Sequence, residues 1–249
     1  LGLEDGTGKG EVKVVVPVIS RIANFDDLDP LRLEPGVSLS LVQPGDPLPG
    51  DADVVLLPGS KSTVGDLAFF RAQGWDIDLS AHVRRGGRVV GICGGYQMLG
   101  RTISDPNGIE GRAGTVEGLG LLDVDTVLTP DKRLVEVTGR HAPSGAALSG
   151  YEIHIGRTQG ADCARPFAHV TSGGSPDHPD GAISANGRIS GTYLHGLFTS
   201  DDFRAGFLKT LGAGSSLAYD SDIDATLDAL AAHLEACMDI EALLAIAGK

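Results

Sequence analysis

The sequence predicts an α/β fold: a mostly parallel twisted sheet flanked by helices, with an antiparallel β addition and a C-terminal helical segment. Three observations predict it. Between residues 12 and 100, short β-branched runs alternate with helical stretches and Gly- or Pro-containing turns, the pattern of a parallel sheet. Residues 101–190 then hold candidate strands with no long helix between them, as antiparallel sheets do. Near the C-terminus, Ile223, Leu227, Leu230 and Leu234 recur every three or four residues, which makes one apolar helix face.

Residues 1–11 read as a linker or tail, and residues 12–249 as one domain. Gly6-Thr7-Gly8-Lys9-Gly10 hints at a phosphate loop, but Gly10 stands where a magnesium-binding Ser or Thr belongs. The first strand is expected over 12–19, rich in valine. A polar loop or short helix over 24–35 follows, and a second strand over 37–42. The third strand, 53–57, ends at Pro58-Gly59. Ser62 is expected to cap the next helix, with Leu67, Phe69 and Phe70 facing the sheet. A further helix over 76–85 closes at Gly86-Gly87 and leads into the strand Arg88–Ile92. Beyond residue 100, strands are expected over 121–128, 134–138, 151–158 and 167–171, a loop over 172–181, and a strand over 188–194 that ends at His195. Helices are expected over 201–211 and after a Ser221 cap, with Asp224 in the capping-box position.

The composition narrows the function. A net charge of −13 argues against nucleic acid and anionic membranes, which need basic patches. No run approaches the ~20 apolar residues of a membrane helix. Three cysteines with no framework spacing indicate a reducing, cytoplasmic setting. Cys163 and Cys237 read as structural, and the acidic stretch Asp26-Asp27-Leu28-Asp29 as a solvated loop; no metal site is expected.

Cys93 is the candidate nucleophile. Val89, Val90 and Ile92 form a buried strand, Gly94-Gly95 allow a sharp turn, and Tyr96 to Leu99 open a helix. Gly-x-Cys-x-Gly is the thiol counterpart of the serine nucleophile elbow, and a thiol at a helix start is favoured as thiolate. A buried structural cysteine is the plainer alternative, made weaker by three surrounding glycines. The thiol needs a base, and His195, at a predicted strand end before Gly196, is the candidate; His154 competes. Backbone N–H groups of Gly59 or Ser60 and of Gly94 can form an oxyanion hole. Glu152 and His154 share one strand face.

Four segments then occur in order: Leu56-Leu57-Pro58-Gly59-Ser60-Lys61-Ser62-Thr63, Gly91-Ile92-Cys93-Gly94-Gly95-Tyr96-Gln97-Met98-Leu99-Gly100, Gly150-Tyr151-Glu152-Ile153-His154 and Tyr193-Leu194-His195-Gly196. Together they resemble the class I, triad-type glutamine amidotransferase domains of the cobyric acid synthase family. The resemblance implies that Cys93 attacks the side-chain amide of glutamine, that His195 protonates the departing ammonia, and that Gln97 and Ser60 help hold the substrate. It places Gly59 and Gly94 in the oxyanion hole and Glu152 and His154 behind the catalytic pair. It implies no cofactor in this chain. ATP and magnesium are expected in an N-terminal synthetase domain, fused or separate, that amidates corrin carboxylates with the released ammonia. The usual His-x-Glu is His195-Gly196-Leu197 here, so the partner that orients the imidazole is open between a backbone carbonyl, water and Glu152, and a weakly stabilised imidazolium is expected. The rivals are the glutaminase of a cobyrinic a,c-diamide synthase or another triad-type relative, a thiol hydrolase or peptidase on the same elbow, and a non-catalytic interaction module.

Overall fold

The computed structural model describes residues 10–173 and 176–248. The chain divides into two compact units, one ending at Ser216 and one starting at Leu217. The phosphate-loop hint at Gly6–Gly10 lies almost wholly outside the described residues.

A six-stranded sheet organises the first unit, in the order Ala182–Ile183, Ile189–Thr192, Arg88–Ile92, Val54–Leu57, Val12–Pro17, Val37–Val42. Every neighbouring pair is parallel except the first, which is antiparallel. Val54–Leu57 is buried at all four positions, as befits a strand covered on both faces. The period of two splits its side chains. Leu56, with Val14, Val16 and Leu39, packs towards Leu31, Phe203 and Leu208. Val55 and Leu57, with Val15, pack towards Leu67, Phe70, Trp75 and Leu79 of the helices Thr63–Ala72 and Trp75–Arg84. Each such fully buried side chain contributes roughly 1.5–3 kcal/mol. On the first face Arg204 is buried with Glu34: its Nε donates to Glu34 Oε1 at 2.6 Å, Nη2 to Asp201 Oδ1 at 2.6 Å and Nη1 to the Phe198 carbonyl at 2.7 Å.

The antiparallel addition is a second sheet built on one long hairpin, Asp125–His141 against Ala147–Gln159. The strands expected over 121–128 and 134–138 are therefore one. Pro130, which reads as a break, sits where the register slips between Ile155 and Arg157, so the ladder loses no bond to it. The expected loop over 172–181 contains a short strand, His178–Asp180, paired to Ala168–Thr171. The strand expected over 188–194 is really two: Ile189–Thr192 belongs to the parallel sheet, and Leu194–His195 pairs with Tyr151 and Glu152 in the antiparallel one. One continuous segment thus joins both sheets on either side of Tyr193.

Two expected caps differ. Ser62 occupies the N-cap position without a side-chain cap bond, and Glu110 Oε2 accepts the Val64 N–H at 2.8 Å instead. In the second unit, the helix Tyr219–Cys237 starts before Ser221, and Asp222 accepts the Ala218 N–H at 3.2 Å. Cys237 is exposed rather than packed, and Cys163 is half-buried. Among the described residues no helix is long and apolar enough to cross a membrane.

Candidate active site

The elbow is strained and its glycines explain how it is held. Cys93 has φ 51° and ψ −109°, a conformation that side-chain-bearing residues seldom adopt. A Cβ on Gly95 would lie 2.2 Å from the Leu57 carbonyl oxygen, and one on Gly94 would lie 2.7 Å from Ser60 Cβ. The turn after Leu57 can approach the elbow this closely only because both residues lack side chains. The Cys93 N–H donates to the Thr192 carbonyl at 2.8 Å, which ties the elbow to the segment that carries His195. The thiol donates to the Ile153 carbonyl at 3.2 Å.

His195 is fully buried, and three neighbours fix its ring. Its Nδ1 is 2.7 Å from Asp27 Oδ2, while Asp27 Oδ1 accepts the Gly196 N–H at 2.7 Å. Tyr151 stacks on it with centroids 5.3 Å apart and planes 14° from parallel. Gly59 leaves room for Cε1, since a Cβ there would sit 3.0 Å from it. With Nδ1 held by Asp27, Nε2 is the nitrogen left for chemistry; it has no other hydrogen-bond partner, and Cys93 is close enough to act on the ring's charge. Burial works against the imidazolium, but the Asp27 hydrogen bond and the attraction of Asp27 and the nearby Cys93 outweigh it and raise His195 to about 10.

This corrects the expectation of a weakly stabilised imidazolium. The orienting group is none of the three candidates read from sequence. It is Asp27, in the 3-10 turn Phe25–Leu28, which is 3% exposed and not part of a solvated loop. Glu152 is also buried, but it pairs with Arg133 and lies 3.8 Å from His178, turned away from His195. His154 stacks on Tyr193 at 3.8 Å; burial lowers its pKa, and its Nδ1 is buried without a partner.

The geometry also sorts the backbone donors. Ile22–Ala23 runs antiparallel to Gly59–Ser60, and Lys61 N–H donates to the Arg21 carbonyl at 2.9 Å. Bonded and non-bonded pairs alternate along such a ladder, so Gly59 faces Ala23 as a bonded pair and the Ser60 N–H turns to the opposite side. That side is the elbow: Ser60 N lies 2.9 Å from where a Gly94 Cβ would be. Ser60 and Gly94 thus present N–H groups beside Cys93, and Gly59 serves chiefly to admit the His195 ring. The Ser60 hydroxyl is already engaged, donating to Asp66 Oδ2 at 2.6 Å and accepting the Ser62 N–H at 2.9 Å. Gln97 is equally committed. Its Oε1 accepts from Thr63 at 2.9 Å, and its Nε2 reaches the Ile155 carbonyl at 2.9 Å and the Tyr193 hydroxyl at 3.1 Å. It locks the elbow helix to the long hairpin.

A cleft of about 370 Å³ opens on Cys93, within the range of small-molecule sites. Ala23, Asn24, Ser60, Thr63 and Gln97 line one part of it, and Ile153, His154 and Ile155 another. A thiol beside a carboxylate-oriented imidazole, with two convergent N–H groups, can form and break an acyl-thiol bond. Among the described residues, no three His, Cys, Asp or Glu side chains gather as a metal site would require. Sequence reading missed Asp27, Tyr151 and Asn24. Asn24 has a left-handed backbone and donates to Tyr151 Oη at 2.7 Å, but a polar Asn-Phe-Asp-Asp run carries no signal that separates it from a loop.

The chain is 60% identical over 248 residues to a cobyric acid synthase of Cereibacter sphaeroides, covering 99% of this chain and 50% of that protein. It is 64% identical over 226 residues to the one from a Jannaschia species, covering 91% of this chain and 46% of that protein. The chain thus spans about half the length of the curated relatives it matches. Among solved structures, the fold resembles PurLQS from Thermotoga maritima, with a TM-score of 0.57 and 18% identity over 81% of this chain and 98% of that one. It resembles a glutamine amidotransferase equally distantly, with a TM-score of 0.54 and 18% identity over 80% of this chain and 99% of that one. The model of the CobB/CobQ-like glutamine amidotransferase domain matches residues 13–203, a span that holds Asp27, Cys93 and His195, and the chain belongs to that family.

Proposed function

We propose that this chain is the glutaminase part of a cobyric acid synthase, releasing ammonia from glutamine for the amidation of corrin carboxylates. The observation that carries the reading is the buried Asp27–His195 pair at 2.7 Å beside a strained Cys93. The Cys93 thiolate attacks the side-chain amide carbon of glutamine. Charge that develops on the carbonyl oxygen falls between the N–H groups of Gly94 and Ser60. His195 Nε2–H protonates the nitrogen, ammonia leaves, and a glutamyl thioester remains. Water, deprotonated by His195, then cleaves the thioester to glutamate and restores the thiol. Asp27 keeps the ring in the right tautomer and stabilises the imidazolium until it gives its proton to the leaving nitrogen.

The identity of about 60% to cobyric acid synthases supports the cobyric branch over the cobyrinic one. Because those relatives are about twice as long, the remaining half is the place for ATP and magnesium chemistry and for the corrin acceptor. The cytoplasm is the compartment this reading implies. The test is ammonia release from L-glutamine by this chain, with and without the synthetase half. Wild type is expected to release ammonia and Cys93→Ala none; release that survives Cys93→Ala refutes the reading.

A further inference from the structure

The cleft above Cys93 contains an asymmetry that the catalytic reading does not use. Apart from histidine, two charged side chains line it, one of each sign: Lys61 and Glu110. Lys61 follows Ser60, whose N–H faces the reacting centre, and its ammonium is exposed with no carboxylate partner among the described residues. Glu110 comes from a different segment and is half-buried. One of its oxygens, Oε2, accepts the Val64 N–H at 2.8 Å, and that bond anchors the carboxylate at the start of the helix Thr63–Ala72. Its second oxygen remains available.

Free glutamine differs from a glutaminyl side chain in a peptide by one α-ammonium and one α-carboxylate. We propose that Lys61 binds the α-carboxylate and Glu110 the α-ammonium, so that this pair selects the free amino acid and sets its side-chain amide on Cys93. The inference rests on the glutaminase reading above. The cation and the anion stand on separately fixed supports, so the pair can read the charges as two points rather than as a net charge. Neutralising the charges at both ends is worth more than either alone, because a half-paired zwitterion keeps a desolvated charge. The long Lys61 stem also lets the cation follow the carboxylate as the amide end moves from planar to tetrahedral.

The test measures how ligands protect Cys93 of this chain from alkylation by iodoacetamide, which reports occupancy of the site by bound ligand or by the glutamyl group it leaves on the thiol. The ligands are L-glutamine, glutaramate, which lacks the α-amino group, and glutamine α-amide, which lacks the free carboxylate. The variants are Lys61→Gln and Glu110→Gln, the second keeping an oxygen for the Val64 N–H so that the helix stays capped. The expected result is that each variant weakens glutamine protection by about tenfold. Lys61→Gln should leave protection by the α-amide unchanged, and Glu110→Gln should leave protection by glutaramate unchanged. If both variants are protected by glutamine as wild type is, the assignment is overturned while the glutaminase reading stands. If glutamine fails to protect wild type at any concentration, the glutaminase reading itself falls and takes the assignment with it.

Discussion

Replacing Asp27 with Asn is the sharpest perturbation of the site. Asn keeps the shape and an oxygen for the Gly196 N–H, so the backbone turn is retained. It removes the charge that faces His195 Nδ1 at 2.7 Å. The gap between 6.5 and about 10 for His195 corresponds to about 5 kcal/mol of preference for the charged ring, shared between Asp27 and Cys93. If Asp27 supplies half, its loss withdraws roughly 2–3 kcal/mol, or about 30–150-fold, from the ion pair. An Asn amide that donates to Nδ1 adds to this by placing the neutral ring's proton on Nε2, where it cannot take the thiol proton. Glutamine hydrolysis by Asp27→Asn is therefore expected to fall by about 10²–10⁴. The sign of the pH effect follows. In wild type the imidazolium is lost only as pH rises through about 10, whereas in the variant the opposing carboxylate is gone while burial still works against the charge, so the loss moves to lower pH. The assay is ammonia release across pH, beside Cys93 alkylation and a denaturant melt that confirms folding. A variant within threefold of wild type, with an unmoved alkaline limb, would refute the role of Asp27.

Other outcomes are equally specific. Gly59→Ala places a methyl 3.0 Å from His195 Cε1 and 3.3 Å from the Ala23 carbonyl oxygen, so kcat should drop at least tenfold while thermal stability changes little; full activity would contradict the tight fit. Arg204→Met leaves the buried Glu34 carboxylate with the Ser215 hydroxyl and the Ser216 N–H but without its cation and should cost about 3–5 kcal/mol by urea unfolding, and the double change with Glu34→Gln should cost less than the sum of the two single changes. Burial raises Asp180 to about 6, so its carboxylate opposes folding increasingly as pH rises from 4 through 6, with Glu152 adding to the shift and Thr192 and His178 reducing it. Asp180→Asn should accordingly stabilise the protein at pH 7 by roughly 1–3 kcal/mol and have little effect at pH 4; a loss at both pH values would show that the charge is needed.

The elbow was legible in sequence because its constraints are local. A cysteine forced to positive φ between a strand and a helix needs glycines at fixed offsets, and Gly91, Gly94 and Gly95 supply them. The parallel strands were legible for the same reason, since buried valine and leucine runs leave few alternatives. Asp27 was not, because it meets His195 across 168 residues of chain and its neighbours are polar. Only the packing of Leu28 and Leu31 into the core pulls that turn inward, and short apolar spacings of this kind also occur in loops. The long hairpin was misread because Pro130-Asp131 has the chemistry of a turn; the bulge opposite Gly156, whose φ is +95°, absorbs it. The two-sheet segment around Tyr193 was read as one strand because local propensity does not record which sheet a residue joins.

The most direct measurement is the acid-quenched mass of the Cys93 peptide after brief exposure of the chain to L-glutamine. A single glutamyl group on Cys93, absent in Cys93→Ser and strongly reduced in Asp27→Asn, is the predicted result. Ammonia released with no acyl group passing through Cys93, or a glutamyl group on any other residue, would contradict it.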